Sequence, residues 1–245
     1  MRKPEPPKEK TGYPMRINKY LAVNGYATRR EADTLIEKKK VLVNGELAVL
    51  GQKVEKDDLV EIRAGGIQKK YVYFAYHKPQ GVITHSPQEG EDDIKEATKK
   101  FKELRGTFPV GRLDKDSYGL IILTNDGRIT DRLLNPDYAH DKEYLVKTKQ
   151  SLRESFKRTM EAGVDIEGYK TKKCRVERLG DYTFRITLTE GKKHQIRRMV
   201  AALHNEVADL KRTRILSIEL RGLPSGAFRP IEGKELERFL KEIGL

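Results

Sequence analysis

The chain has 245 residues, 37% of them hydrophobic and 36% charged, with a formal net charge of +13. That length suits one large domain or a small module plus a catalytic body, and no apolar run approaches the roughly 18–20 residues of a membrane span. The single cysteine, Cys174, excludes an intramolecular disulfide and a multi-cysteine metal site and is expected as a strand residue in a reduced compartment.

The basic excess runs through the whole chain. Residues 1–70 carry 16 Lys+Arg against 10 Asp+Glu, so +6 of the net charge lies there and +7 in the remainder. Both halves are therefore expected to meet a polyanion. Membrane-surface binding fits less well, because the basic helices lack large Trp or Phe faces.

In chain order, residues 1–13 are rich in Pro, Lys and Glu without an apolar segment, and read as a flexible tail, not a secretory signal. A compact unit follows at 14–63. Ile17, Tyr20, Leu21 and Asn24 recur at helical spacing, with Gly25 where a left-handed cap is wanted. Thr28-Arg29-Arg30-Glu31 is a capping box opening a second helix, whose stripe is Ala32, Leu35 and Ile36. Val41-Leu42-Val43 with Asn44-Gly45 predicts a hairpin, and Leu59–Ile62 closes a small sheet. Two short helices plus a hairpin, bearing Arg-Arg-Glu-Ala and Val-Asn-Gly, resemble the S4-like RNA-binding module that a small ribosomal subunit protein shares with tyrosyl-tRNA synthetases. In that family the helix pair offers its basic edge to folded RNA. The corresponding candidates are Arg16, Lys19, Arg29, Arg30, Lys38, Lys39 and Lys40. A solvated charged face is the plainer reading of such a run, but clustered Lys and Arg are also what phosphate contact requires.

Residues 64–70, with Gly65-Gly66, read as a linker. In the 71–245 body, Tyr71–Tyr76 alternates as a strand and ends at the turn Lys78-Pro79-Gln80-Gly81. Further strands are expected at Leu120–Leu123, Glu143–Thr148, Lys173–Glu177, Thr183–Leu188 and Ile215–Leu220, and helices at Arg128–Leu134, Leu152–Met160, His194–Leu203 and Gly233–Leu240. Mixed without strict alternation, these predict an α+β body with a mainly antiparallel sheet.

The most informative stretch is Gly111-Arg112-Leu113-Asp114-Lys115-Asp116-Ser117-Tyr118-Gly119, followed by Leu120-Ile121-Ile122-Leu123. It puts a carboxylate, Asp114, on a polar loop running straight into an apolar strand. Turn capping is the ordinary use of a loop aspartate. A calcium loop is excluded, because Tyr118 and Asn125 fall where ligands belong. Downstream, Lys142-Glu143-Tyr144 puts a tyrosine on a strand, and Glu190-Gly191-Lys192-Lys193-His194-Gln195-Ile196-Arg197-Arg198-Met199 opens a basic helix. Ile196, Met199, Val200 and Leu203 share its apolar face; Arg197 lies about 100° from Ile196 at the border, and Arg198, at about 200°, is expected to face outward. The five histidines show no metal spacing, and His194 is expected at the solvated surface.

Together the Lys-Pro-x-Gly turn, Gly-Arg-Leu-Asp with Ser117 and Gly119, the Lys-x-Tyr strand and Gln-Ile-Arg-Arg-Met resemble the RNA pseudouridine synthases of the RsuA and RluF type, over nearly all of Arg16–Leu240. Thr171-Lys172-Lys173-Cys174 and Arg212-Thr213-Arg214-Ile215 look closest to the RluF type. The resemblance implies Asp114 as catalytic aspartate, Tyr144 as active-site tyrosine and Arg197 as partner of the aspartate. Lys78, Arg112, Lys192 and Arg198 are outer candidates, either to hold RNA phosphates or to frame the pocket. The resemblance also implies uridine isomerisation in structured RNA, foremost large-subunit ribosomal RNA, with tRNA as a second candidate substrate. No cofactor or metal is needed, since the reaction is not a redox one. The carboxylate either attacks the sugar or takes a proton from it; the sequence leaves both open. A cytoplasmic monomer is expected. The rival readings are a catalytically silent RNA-binding or ribosome-assembly factor, and a tyrosyl-tRNA synthetase, which would need an ATP-binding signature this chain lacks.

Overall fold

A computed structural model describes residues 12–24, 26–63, 71–84 and 92–245. The Gly25 cap, the 64–70 linker and the tail up to residue 11 lie outside the described residues. Two compact units emerge, one of residues up to 71 with the short segment 126–131, the other of 72–125 with 132–245.

In the first unit, helices Ile17–Val23 and Arg29–Glu37 pack beside a sheet of Val41–Val43, Glu46–Leu47 and Val60–Ile62. The capping box forms as expected: the Thr28 hydroxyl accepts from the Glu31 N–H at 3.2 Å, and the Glu31 carboxylate accepts from the Thr28 N–H at 2.9 Å. Asn44 and Gly45 take φ of 53° and 84°, the left-handed pair that a two-residue hairpin turn demands. Ile17, Leu21, Ala32, Ile36, Val41 and Val54 form the core, and each large aliphatic chain among them contributes about 1.5–3 kcal/mol by leaving water. Two features were not anticipated. Met15–Arg16 pairs with Lys53–Val54, and Leu47, Val49, Leu50 and Leu59 stay exposed.

The second unit is built on a nine-stranded mixed sheet. From one edge its main path runs Arg175–Arg178, Thr183–Leu188, Lys142–Thr148, Val207–Ile215, Tyr118–Thr124, Tyr73–Lys78 and Phe228–Pro230. Every neighbouring pair is antiparallel except the central one, where Val207–Ile215 runs parallel to Tyr118–Thr124. Leu120–Leu123 is buried on both faces of this sheet, which is why it reads as an unbroken apolar run. One apolar cluster lies under helices Phe156–Glu161 and Gln195–Ala202, and another gathers Phe74, Tyr76, Ile121 and Leu123.

Two sequence expectations are corrected. The strand expected at Ile215–Leu220 is instead a reversal: the long strand ends at Ile215 and a short return strand follows at Ile218–Glu219. Irregular pairing between Val207 and Asp209 and between Arg212 and Arg214 breaks the two-residue alternation that would have revealed it. The helix expected at Leu152–Met160 shortens to Phe156–Glu161. Strands Phe108–Val110 and Phe228–Pro230, each containing a proline, went unread. Cys174 falls just before its strand, half-buried, with its thiol pushed up to about 11, chiefly by burial and then by the Glu161 and Glu190 charges. Among the described residues no helix is long and apolar enough to cross a membrane.

Candidate active site

Asp114 opens a tight turn, its carbonyl accepting from the Ser117 N–H at 3.0 Å. The surrounding backbone is tied on several sides. Thr84 Oγ1 donates to the Leu113 carbonyl at 2.8 Å and accepts from the Leu113 N–H at 3.0 Å. The Gly81 N–H donates to the Lys115 carbonyl at 2.8 Å, so the Lys-Pro-x-Gly turn is one wall of this loop. The Asp116 carbonyl accepts from Gln80 at 3.3 Å and from Arg197 at 3.2 Å. With its backbone pinned, the Asp114 side chain stays 37% exposed, and the His194 Nε2 lies 3.5 Å from its Oδ1.

Behind the loop, sheet register makes a row. Tyr144 pairs laterally with Arg212, Arg212 with Gly119, and Gly119 with Lys78. Laterally paired residues share a face of a pleated sheet, so Tyr144, Arg212 and Lys78 belong to one surface. Gly119 is obligatory here: its φ is 112°, and an added Cβ would run into the Arg212 backbone. Tyr144 is half-buried against the apolar cluster beneath the basic helix. Arg212 is 3% exposed, its Nε donating to the Leu120 carbonyl at 2.6 Å and its Nη1 to the Arg112 carbonyl at 3.2 Å.

Of the two roles open to Lys78, phosphate contact is corrected, because it is fully buried and donates to the Pro79 and Val82 carbonyls at 2.9 and 2.6 Å. It frames the site from inside. Burial pulls its ammonium down to about 8, the Arg212 charge adds to that, and the Asp114 and Asp116 carboxylates oppose it. Arg198 is corrected too. It does not face outward, because its Nη2 donates to the Ile166 carbonyl at 2.9 Å and to Glu167 at 2.7 Å, clasping the 165–170 hairpin. The wheel angle was right for a bare helix, but a neighbouring hairpin covers that face. Arg197 reaches the loop as expected, through the Asp116 carbonyl and not through the Asp114 carboxylate. Arg112 and Lys192 are exposed, and Lys192 also lies over the Tyr169 ring at 4.6 Å.

Three participants were missed by sequence reasoning. His194 is exposed as expected, yet its Nε2 also lies beside Asp114, from a residue with a left-handed φ of 52° at the start of the basic helix. Glu190, only 5% exposed, accepts from the Tyr169 hydroxyl at 2.6 Å, the Lys172 N–H at 2.9 Å and the Gln195 amide at 2.7 Å, fixing the segment that leads to His194. Burial pushes its carboxyl up, but those hydrogen bonds together outweigh it and hold Glu190 below the usual carboxylate range. Arg212 is the third. In the sequence it stood only within Arg212-Thr213-Arg214-Ile215, a segment quoted for its resemblance to the RluF type, with no role of its own.

A pinned, part-exposed carboxylate, on a loop in front of a sheet row that holds Tyr144, Arg212 and Lys78, defines a site for chemistry on a polyanionic substrate. Residues 72–202 match the RNA pseudouridylate synthase family and residues 15–60 the S4 domain, and the chain belongs to that family of enzymes. Its relatives include the dual-specificity RNA pseudouridine synthase RluF of Escherichia coli (strain K12), 40% identical over 233 residues that span 94% of this chain and 79% of the relative. The ribosomal large subunit pseudouridine synthase B of Bacillus subtilis (strain 168) is 36% identical over 91% of this chain and 94% of its own length. The crystal structure of a pseudouridylate synthase, 28% identical, covers 94% of this chain and 99% of its own with a TM-score of 0.68. Family membership decides for an enzyme over a silent RNA-binding factor and over a synthetase.

Proposed function

We propose that this enzyme converts one uridine of a large-subunit ribosomal RNA stem-loop to pseudouridine, with Asp114 as the reacting carboxylate. In that reaction the bond from ribose C1′ to N1 breaks, the freed uracil turns, and C5 joins C1′ as C5 loses a proton and N1 gains one. Nothing is oxidised or reduced. What supports Asp114 is its setting: the loop backbone is held at Leu113, Lys115 and Asp116 while the carboxylate itself remains accessible. Such preorganisation keeps a reacting group in place without cost at the moment of reaction. Flipping the target base out of a duplex costs a few kcal/mol; the Tyr144 ring is assigned to receive it and its hydroxyl to move the proton at C5. Arg197 supports the turn that presents Asp114.

The choice of ribosomal RNA rests on the relatives, one of which is named for the ribosomal large subunit. The 14–63 unit is assigned to dock RNA through Arg16, Lys19, Arg29, Arg30, Lys38, Lys39 and Lys40; it precedes a 71–245 catalytic body in the chain, where Arg112 and Lys192 are assigned phosphate contacts of their own. The enzyme works as a monomer in the cytoplasm in this reading, since Asp114, Tyr144, Arg197 and Arg212 all come from one chain. Transfer RNA is the second substrate to test. The decisive experiment maps pseudouridines in total RNA from cells lacking this protein, then restores it as wild type or as Asp114→Asn. Wild type is expected to return the missing mark and Asp114→Asn to leave it absent; a mark restored by Asp114→Asn removes Asp114 from the chemistry.

A further inference from the structure

Arg212 is the least expected side chain of this site. It lies in mid-strand, 3% exposed, yet carries a full charge that Arg cannot lose. Its two hydrogen-bonded carbonyls, of Arg112 and Leu120, stand on either side of Asp114 at the two ends of the loop. One planar guanidinium therefore ties both stems of the segment that presents the carboxylate. A third nitrogen, Nη2, is buried with no hydrogen-bond partner among the described residues.

The charge is costly where it sits. Lys78 and Lys142 are both held below the usual lysine range, chiefly by burial, and in both the Arg212 cation is the next cause. Three cations packed this way disfavour one another, and two backbone carbonyls could be satisfied by a neutral amide. Arg differs from Gln or Lys in presenting several donors in one rigid plane, which suits a clasp that must hold two strand ends at a set separation. Gly119 permits it, since a side chain there would collide with the Arg212 backbone.

We propose that Arg212 is the positioning residue for Asp114: its fork closes the 112–120 loop and sets the carboxylate against the Tyr144 side of the sheet. The proposal rests on the reading of Asp114 given above. It is tested on the full chain, with Arg212→Lys and Arg212→Gln assayed on ribosomal RNA from cells lacking the enzyme. Three quantities are read: the single-turnover rate at saturating RNA, the RNA dissociation constant and the thermal melt. Both variants are expected to melt cooperatively and bind RNA within about twofold of wild type, while converting at least about tenfold more slowly. The Lys variant should not recover the rate, because it keeps the charge and loses the fork.

Several outcomes overturn the proposal. A wild-type rate in Arg212→Lys, with Asp114→Asn inactive, removes Arg212 alone and leaves the reading of Asp114 standing. An affinity loss as large as the rate loss makes Arg212 an RNA contact. Loss of the cooperative melt in both variants makes it a folding element. An active Asp114→Asn removes the reading and the inference together.

Discussion

At position 78 a lysine is fully buried with its ammonium spanning the Pro79 and Val82 carbonyls, and this has a consequence for stability. Its pKa falls from 10.5 to about 8 on folding, so between those values the unfolded chain binds more protons than the folded one. Stability must then rise with pH across that window, and below it the cost of burying the charge is felt in full. The difference amounts to about 3 kcal/mol at most, by the usual conversion of a pKa shift to free energy. Lys78→Met has no such proton. The stability of wild type relative to Lys78→Met should therefore increase between pH 7.5 and 9.5 in denaturant titrations, and a gap that stays constant would show the ammonium to be solvated. The sequence marked Lys78 only as a cation next to a turn. Its burial follows from pairing with Gly119 in the middle of a sheet, which no local pattern reports.

Among elements, the helices of the first unit were the most legible, because capping and hydrophobic periodicity are both local. Thr28 and Glu31 satisfy each other's amides as their spacing predicts. Thr28→Ala should therefore cost about 1 kcal/mol, seen as roughly fivefold faster hydrogen exchange at the Glu31 amide; an unchanged exchange rate would mean that packing alone holds that helix start. The basic helix was legible in its apolar face, since Ile196, Met199 and Val200 are buried. Its charged face was not. Arg198 is taken by Ile166 and Glu167, whose hairpin belongs to a distant part of the chain. The strand Val207–Ile215 was legible at neither end, because its two irregular pairings shift the inward residues out of step.

For the whole molecule, the net charge of +13 is a statement about affinity and its dependence on salt. Arg29, Arg30, Lys38 and Lys39 are all exposed on the first unit. If each meets a phosphate, replacing the four by Gln should weaken RNA binding and flatten the plot of log affinity against log salt by about 3 units of slope. A variant with the wild-type slope would show this face to be merely solvated. The charge in the second unit is spent differently, with Lys78 and Arg212 buried inside it and Arg198 drawn into a clasp. Net charge counts these cations alike; only their burial separates RNA contacts from loop supports.

The amino-acid sequence by itself determined the family, the class of fold and the order of the chemical groups along the chain. Those properties rest on turn residues, capping and apolar periodicity, which act over a few residues. Tertiary structure alone decided that His194 lies against Asp114, that Glu190 anchors the segment before it, and that Arg212 ties both ends of the loop. The physical reason is reach. A long polar side chain takes its partner from whatever segment the fold sets within about 3 Å of its head, and Arg212 finds the Arg112 carbonyl 100 residues away.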